Sequence, residues 1–270
     1  MKSIGVQSGV VKKMTIKLIA FDLDDTLFNA TLLVEKARIA GLEMMRDFGF
    51  PLTIEQALPI LQEVVNEFGS NSENHYDFFL EKLKHHPDYH LHNLNENMLV
   101  AAGIMGYHRE KVKHFKLFKD VRSNIEKLKN KGYLTAIISD GVPKKQYEKI
   151  LRLKIETLFD VIIISDDVGI RKPNPLLFRY CLDRCGVQPN ETIYIGDRLD
   201  RDIEPALKLG MYGILIHRGG KWDPNVTKMK SSVRPSFHIH SLTELWKIIE
   251  NIDKGVVAKP SESLQGEGGV

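Results

Sequence analysis

The chain has 270 residues, 43% of them hydrophobic and 27% charged, with a net charge of +3. That length suits one large domain or a domain carrying a sizeable insertion, and so weak a charge, with both signs interspersed, argues against a nucleic-acid or membrane-surface partner. No run approaches the roughly 20 uninterrupted apolar residues that a membrane-spanning helix requires.

Residues 1–14, MKSIGVQSGVVKKM, lack the apolar stretch of about 7 residues or more that a secretory signal needs, so they read as an N-terminal extension and the expected location is cytoplasmic. The first strand is expected at IKLIAF (16–21), and three carboxylates follow at once in FDLDDTLFN: Asp22, Asp24 and Asp25. From 31 to 115 the pattern is helical throughout: LLVEKARIAGLEMMRDFG, TIEQALPILQEVVNEFG, NHYDFFLEKLK and NENMLVAAGIMGYHREKVKHF. A strand-helix-strand crossover needs only about 30 residues in all, so this stretch is an insertion, a helical cap domain. KHHPDYHLH (84–92) holds four histidines around a proline and reads as a solvated loop between cap helices.

From residue 116 the chain alternates. Short apolar runs, LTAIIS (134–139), VIIIS (161–165), TIYIG (192–196) and GILIH (213–217), are continuous rather than alternating, as strands buried on both faces of a parallel sheet require. Helical patterns lie at 121–132, 143–154, 175–186 and 202–210, and their Pro starts and Gly stops mark the ends. Cys181 and Cys185, four apart in one of these helices, have no further ligands at a usable spacing and are read as packed or surface thiols of a reducing compartment. SFHIH (236–240) offers an edge strand, LTELWKIIENI (242–252) a last helix, and 253–270 a glycine- and serine-rich disordered tail. The expected fold is α/β: a doubly wound, mostly parallel, Rossmann-like sheet formed by 15–30 and 116–252, with the cap at 31–115 inserted after the first strand.

In open α/β sheets ligands bind at the carboxyl ends of the strands, and the polar residues gather there. In extended backbone Asp22 and Asp24 share one side, leaving Asp25 to face away, as a surface residue. Two converging carboxylates need a shared proton or a cation, and a hard ion such as Mg²⁺ takes few carboxylates with the rest of its shell left to water and phosphate. The second strand ends Ser139-Asp140-Gly141, where a hydroxyl and exposed N–H groups suit a phosphate, although Ser-Asp-Gly alone is equally an ordinary turn. Lys172, in GIRKPNP, can neutralise a phosphate as a point charge or simply face solvent. The fourth strand ends GDRLDRD, adding Asp197, Asp200 and Asp202; Asp200 reads as readily as a helix N-cap. Four successive strand ends thus carry an acid pair, a hydroxyl, a lysine and more acids under a lid, the parts of a phosphoryl-transfer centre.

At these residues the sequence resembles the haloacid dehalogenase superfamily, specifically its phosphatases with a helical cap. DLDDT (22–26), Ser139, KPNP (172–175) and GDRLDRD (196–202) correspond to its four motifs in order, and the similarity runs from about Thr15 to Ile252. Within it, the chain is most similar to archaeal-type members that act on small phosphates such as glyceraldehyde 3-phosphate. The resemblance implies Asp22 as nucleophile and Asp24 as general acid and base. It implies Mg²⁺ held by Asp22, Asp24 through its backbone carbonyl and Asp197, with Asp202 supporting the metal through water. Ser139, Gly141 and Lys172 would bind the substrate phosphate. Position 140 departs from the pattern, being Asp where many members have Asn, so its side chain is expected to turn away.

The implied activity is Mg²⁺-dependent hydrolysis of a small phosphorylated metabolite. A dehalogenase on this fold would not need a second carboxylate at position 24, because halide leaves without a proton. A phosphomutase keeps both aspartates, but Thr26 favours hydrolysis. A phospho-receiver, a binding switch rather than an enzyme, has no cap. The sequence sets no oligomeric state.

Overall fold

The computed structural model describes residues 16–85, 94–221 and 233–256. The N-terminal extension, residues 86–92 of the histidine-rich loop, and the tail from 257 lie outside them. In chain order the elements are β1 (Leu18–Phe21), α1 (Ala30–Asp47), α2 (Ile54–Phe68), α3 (His75–Lys84), α4 (Glu96–Lys113), α5 (Val121–Asn130), β2 (Leu134–Ser139), α6 (Pro143–Leu153), β3 (Val161–Ile164), α7 (Ser165–Val168), α8 (Pro175–Cys185), β4 (Thr192–Gly196), α9 (Glu204–Lys208), β5 (Tyr212–Ile216), β6 (Phe237–Ile239) and α10 (Leu245–Asp253). Thus Asp253, at the head of the expected tail, closes the last helix.

All six strands run parallel, in the order β3-β2-β1-β4-β5-β6. The first strand is therefore central, paired with β2 from Leu18↔Leu134 to Phe21↔Ile137 and with β4 from Leu18↔Thr192 to Phe21↔Ile195. Alternation divides each strand between two cores. Ile19, Phe21, Ile137, Ile193, Ile195 and Ile214 pack with α5, α6 and α10, whereas Leu18, Ala20, Ile138 and Tyr194 pack with α8 and α9. Helices on both faces explain why the strands read as continuous apolar runs.

The helix starts follow local chemistry. Asn29 caps α1 by accepting the Leu32 N–H at 2.7 Å, and Asn174 caps α8 by accepting the Leu176 N–H at 3.0 Å, with Pro175 in the first turn. Where a helix from 202 was expected, the chain forms a π-type turn over Leu199–Ile203 and only then the short α9.

Helices α1 to α4 leave the sheet between β1 and β2 and have their own core of Leu42, Met45, Phe50, Leu61, Val64 and Phe79, among others. The two chain segments that join them to the sheet meet: Phe28 bridges Leu117, and the Phe118 N–H donates to the Leu27 carbonyl at 3.0 Å. Further contacts fall on α6, where the Lys145 Nζ donates to the Asn71 carbonyl at 2.7 Å and Glu148 pairs with Lys111 of α4 at 3.1 Å. Among the described residues no helix is long and apolar enough to cross a membrane.

Candidate active site

Because β1 is central, the residue after it emerges between the ends of β2 and β4. The Asp22 N–H donates to the Ile195 carbonyl at 2.8 Å, which continues the β1–β4 ladder one residue further and leaves Asp22 6% exposed. Lys172 reaches it from the loop before α8. Its ammonium donates to Asp22 Oδ1 at 2.6 Å, to Asp202 Oδ1 at 2.7 Å and to the Tyr194 hydroxyl at 2.8 Å. All three N–H donors of a lysine are thereby engaged. Burial alone would lower the Lys172 pKa, but the Asp202 and Asp22 carboxylates raise it above its ordinary value, so it is a fixed cation.

Asp197 follows Gly196 at the end of β4 and is also buried. Carboxylate oxygens of Asp22, Asp197 and Asp202 lie within 4.8 Å of one another. Burial first, then the charges of Asp22 and Asp202, push the Asp197 carboxyl up to about 9. The Asp22 carboxyl is pushed up to about 7 by burial, with Lys172 acting against it and Asp202 and Asp24 adding to it. Three buried acids beside one lysine cannot all ionise unaided, so the site keeps protons unless a cation joins it, and the hard oxygen donors fit Mg²⁺. Gly196 is required by this crowding: a Cβ there would lie 2.5 Å from the Cβ and Cγ of Asp202.

Asp24, partly exposed, has no oxygen in that cluster. Its carboxylate accepts both oxygens' worth of contact from Lys149 Nζ, at 2.6 and 2.9 Å, and approaches Gln146 Nε2 at 3.4 Å. Both partners project from α6. Gln146 Nε2 also donates to Ser139 Oγ at 3.1 Å and to the Asp140 carbonyl.

The Asp140 side chain does turn aside. Its Oδ1 accepts the Lys172 backbone N–H at 2.9 Å, and its Oδ2 pairs with Arg201 at 3.1 Å while Arg201 also donates to the Lys172 carbonyl at 2.6 Å. The aspartate therefore clamps the lysine loop. The Gly141 N–H, expected to face a phosphate, donates instead to Ser165 Oγ at 3.0 Å. Asp25 corrects a second expectation, for it is 6% exposed rather than a surface residue. Alternation fails because the extended chain ends there: Asp25 has φ +58°, and its carboxylate accepts the Thr31 N–H at 2.9 Å and the Thr31 hydroxyl at 2.6 Å. It ties the acid loop to the first turn of α1. Asp200 is not an N-cap; its carboxylate accepts from Arg198 at 2.8 Å on the surface.

Tyr194, Gln146, Lys149 and Arg201 were not foreseen. Tyr194 sits inside an apolar strand run, and the other three read as the polar faces of ordinary helical patterns. The faint signal for Gln146 and Lys149 is their spacing of three on the helix directly after Ser139.

The chain is similar to known proteins over most of its length. A family model described as haloacid dehalogenase-like hydrolase matches residues 19–216. The glyceraldehyde 3-phosphate phosphatase of Methanopyrus kandleri is 36% identical over 241 residues, covering 88% of this chain and 99% of its own. That of Pyrococcus furiosus is 40% identical over 206 residues, covering 76% and 82% respectively. Among solved structures, a HAD phosphatase from Thermococcus onnurineus superposes with a TM-score of 0.56 at 25% identity, covering 87% of this chain and 98% of that one. By its strand ends, its sheet and these matches, the chain belongs to the haloacid dehalogenase-like hydrolase family.

Proposed function

We propose that this protein is a Mg²⁺-dependent phosphatase that hydrolyses a small phosphorylated metabolite, a sugar or triose phosphate such as glyceraldehyde 3-phosphate, through an aspartyl phosphate on Asp22. The observation that carries the reading is the buried cluster of Asp22, Asp197 and Asp202 beside Lys172, whose carboxylates can ionise together only with a cation and whose lysine is already paired with the nucleophile. The relatives named glyceraldehyde 3-phosphate phosphatase support the substrate class. The helical insertion beside the strand ends supports a small substrate, since a lid excludes a folded protein.

In the first step a carboxylate oxygen of Asp22 attacks phosphorus, and the bond from phosphorus to the leaving alkoxide breaks as Asp24 gives that oxygen a proton. In the second, a water attacks phosphorus, Asp24 takes its proton back, and the bond to Asp22 breaks to release phosphate. The Ser139 hydroxyl holds a phosphate oxygen on which charge spreads in the transition state, and Lys172, whose three N–H donors are taken up by Asp22, Asp202 and Tyr194, offsets that charge as a fixed cation beside it. Asp22, the backbone carbonyl of Asp24 and Asp197, with Asp202 in support, would hold Mg²⁺, which would neutralise charge and orient the phosphate. Gly141 enters through its backbone shape, because its N–H is engaged by Ser165.

The test is phosphate release by the pure protein from a panel of phosphorylated metabolites and p-nitrophenyl phosphate with Mg²⁺. Turnover abolished by EDTA and by Asp22→Asn is expected. Folded protein inactive on the whole panel would sink the reading.

A further inference from the structure

Helix α6 carries an amide that the mechanism above does not use. Gln146 is 3% exposed, and its Nε2 lies 3.1 Å from Ser139 Oγ and 3.4 Å from Asp24 Oδ2 while also donating to the Asp140 carbonyl. The Asp140 carbonyl has no hydrogen to give, which fixes the amide with its nitrogen toward these groups. Ser139 Oγ must then accept from Gln146, and the hydroxyl hydrogen has to point elsewhere. Among the described residues no acceptor for it is present, although Ser139 is 1% exposed. A phosphate oxygen at the strand end would supply one.

The same amide is costly to keep. Gln146 Oε1 is buried with no hydrogen-bond partner, so an apolar side chain of similar volume would spare the fold an unsatisfied acceptor. The helix around it is clamped: Lys145 and Glu148 hold the cap, while Gln146 and Lys149 turn to the acid loop. Positions three apart share a face, so the two pairs lie on adjacent sides of one rigid element.

We infer that Gln146 is a positioning residue: with one N–H on the Asp140 carbonyl, it donates the other to Ser139 Oγ and so turns the Ser139 hydroxyl hydrogen toward the substrate phosphate. The inference rests on the phosphatase reading. It implies that Gln146 acts on phosphate through Ser139 rather than by touching it, and that its effect vanishes once the hydroxyl is gone.

A double-mutant cycle of Gln146→Met and Ser139→Ala in the full chain with Mg²⁺ tests this, read as inhibition by inorganic phosphate and as kcat/KM. A hydrogen bond to a charged group corresponds to about a tenfold change or more, so each single variant is expected to weaken phosphate inhibition by about tenfold, and the double variant by no more than Ser139→Ala alone. Gln146→Glu keeps the shape but accepts the Ser139 hydrogen, so it is expected to fall further than Gln146→Met. It also provides a second route if the methionine variant folds poorly. Multiplying losses in the double variant, or unaltered phosphate inhibition in Gln146→Met, would overturn the inference while leaving the phosphatase reading intact. A wild-type protein inactive on every phosphate ester would instead remove that reading, and calorimetric binding of phosphate to the same four proteins would still decide the coupling.

Discussion

Lys172 Nζ lies 2.6 Å from Asp22 Oδ1, although the two residues are 150 positions apart in the chain. The contact joins the end of the central strand to the loop before α8, and the bond from the same ammonium to Asp202 joins both to the turn after β4. One cation thus holds three strand-end segments in register.

Replacing Lys172 with methionine removes that cation while its partners stay buried. Breaking a buried pair from one side costs about 3–5 kcal/mol, so Lys172→Met is expected to lose stability of that order in urea unfolding and to lose turnover. Asp22→Asn, which leaves Lys172 paired with Asp202, is expected to lose turnover with a much smaller stability change.

The acids themselves set a pH dependence. Burial, first of all, raises Asp22 from 3.8 to about 7 and Asp197 from 3.8 to about 9. Protons are therefore held more tightly in the folded state than in the unfolded one. This contribution to stability is whole below about pH 4 and is lost as pH rises through about 7 and then about 9. Bound at these carboxylates, Mg²⁺ would have to displace those protons, so its stabilising effect is expected to grow with pH. Melting curves in EDTA and in Mg²⁺ at about pH 6 and about pH 9 check this. A gap between the curves that narrows at the higher pH would contradict it.

Asp25 is expected to matter for folding. Its carboxylate holds both the Thr31 N–H and hydroxyl, and its backbone lies in the left-handed region. Asp25→Ala strands those donors and is expected to cost about 1–3 kcal/mol, whereas Asp25→Asn keeps an acceptor and tolerates the backbone, so it should cost less. Thermal melts of the two variants give the comparison, and equal losses would count against this assignment.

Gly196→Ala is expected to disable the site more than the fold. The added methyl would lie 2.5 Å from Asp202 Cβ and Cγ, and Asp202 can yield only by leaving Lys172 and Tyr194. Mg²⁺ titration followed by melting temperature should show affinity weakened by about 10-fold or more, in the range known for displaced supporting carboxylates. Unchanged affinity would mean that Asp202 does not serve the metal.

The sheet was legible because burial on both faces writes itself as unbroken apolar runs, and the cap because its strandless length cannot fit a crossover. Asp22, Ser139 and Asp197 stand at strand ends, while Lys172 reaches them from the loop between α7 and α8. What sequence could not reveal was which long side chains cross between elements. Gln146 and Lys149 look like one polar face of α6, and nothing local says that this face meets Asp24. Asp25 misled because two-residue alternation assumes extended backbone, and the chain turns left-handed at that residue. The Gly141 N–H was expected to be free because Ser165, its acceptor, lies on another strand end.

The central claim is phosphoryl transfer to Asp22, and trapping that ester tests it most directly. The protein is mixed with an excess of a turned-over phosphorylated metabolite, quenched in acid within one turnover, reduced with borohydride and mapped by mass spectrometry. Reduction converts an acyl phosphate to an alcohol, so homoserine is expected at position 22 in the wild type and absent in Asp22→Asn. Steady turnover with an unmodified Asp22, or with the mark on another carboxylate, would contradict the account.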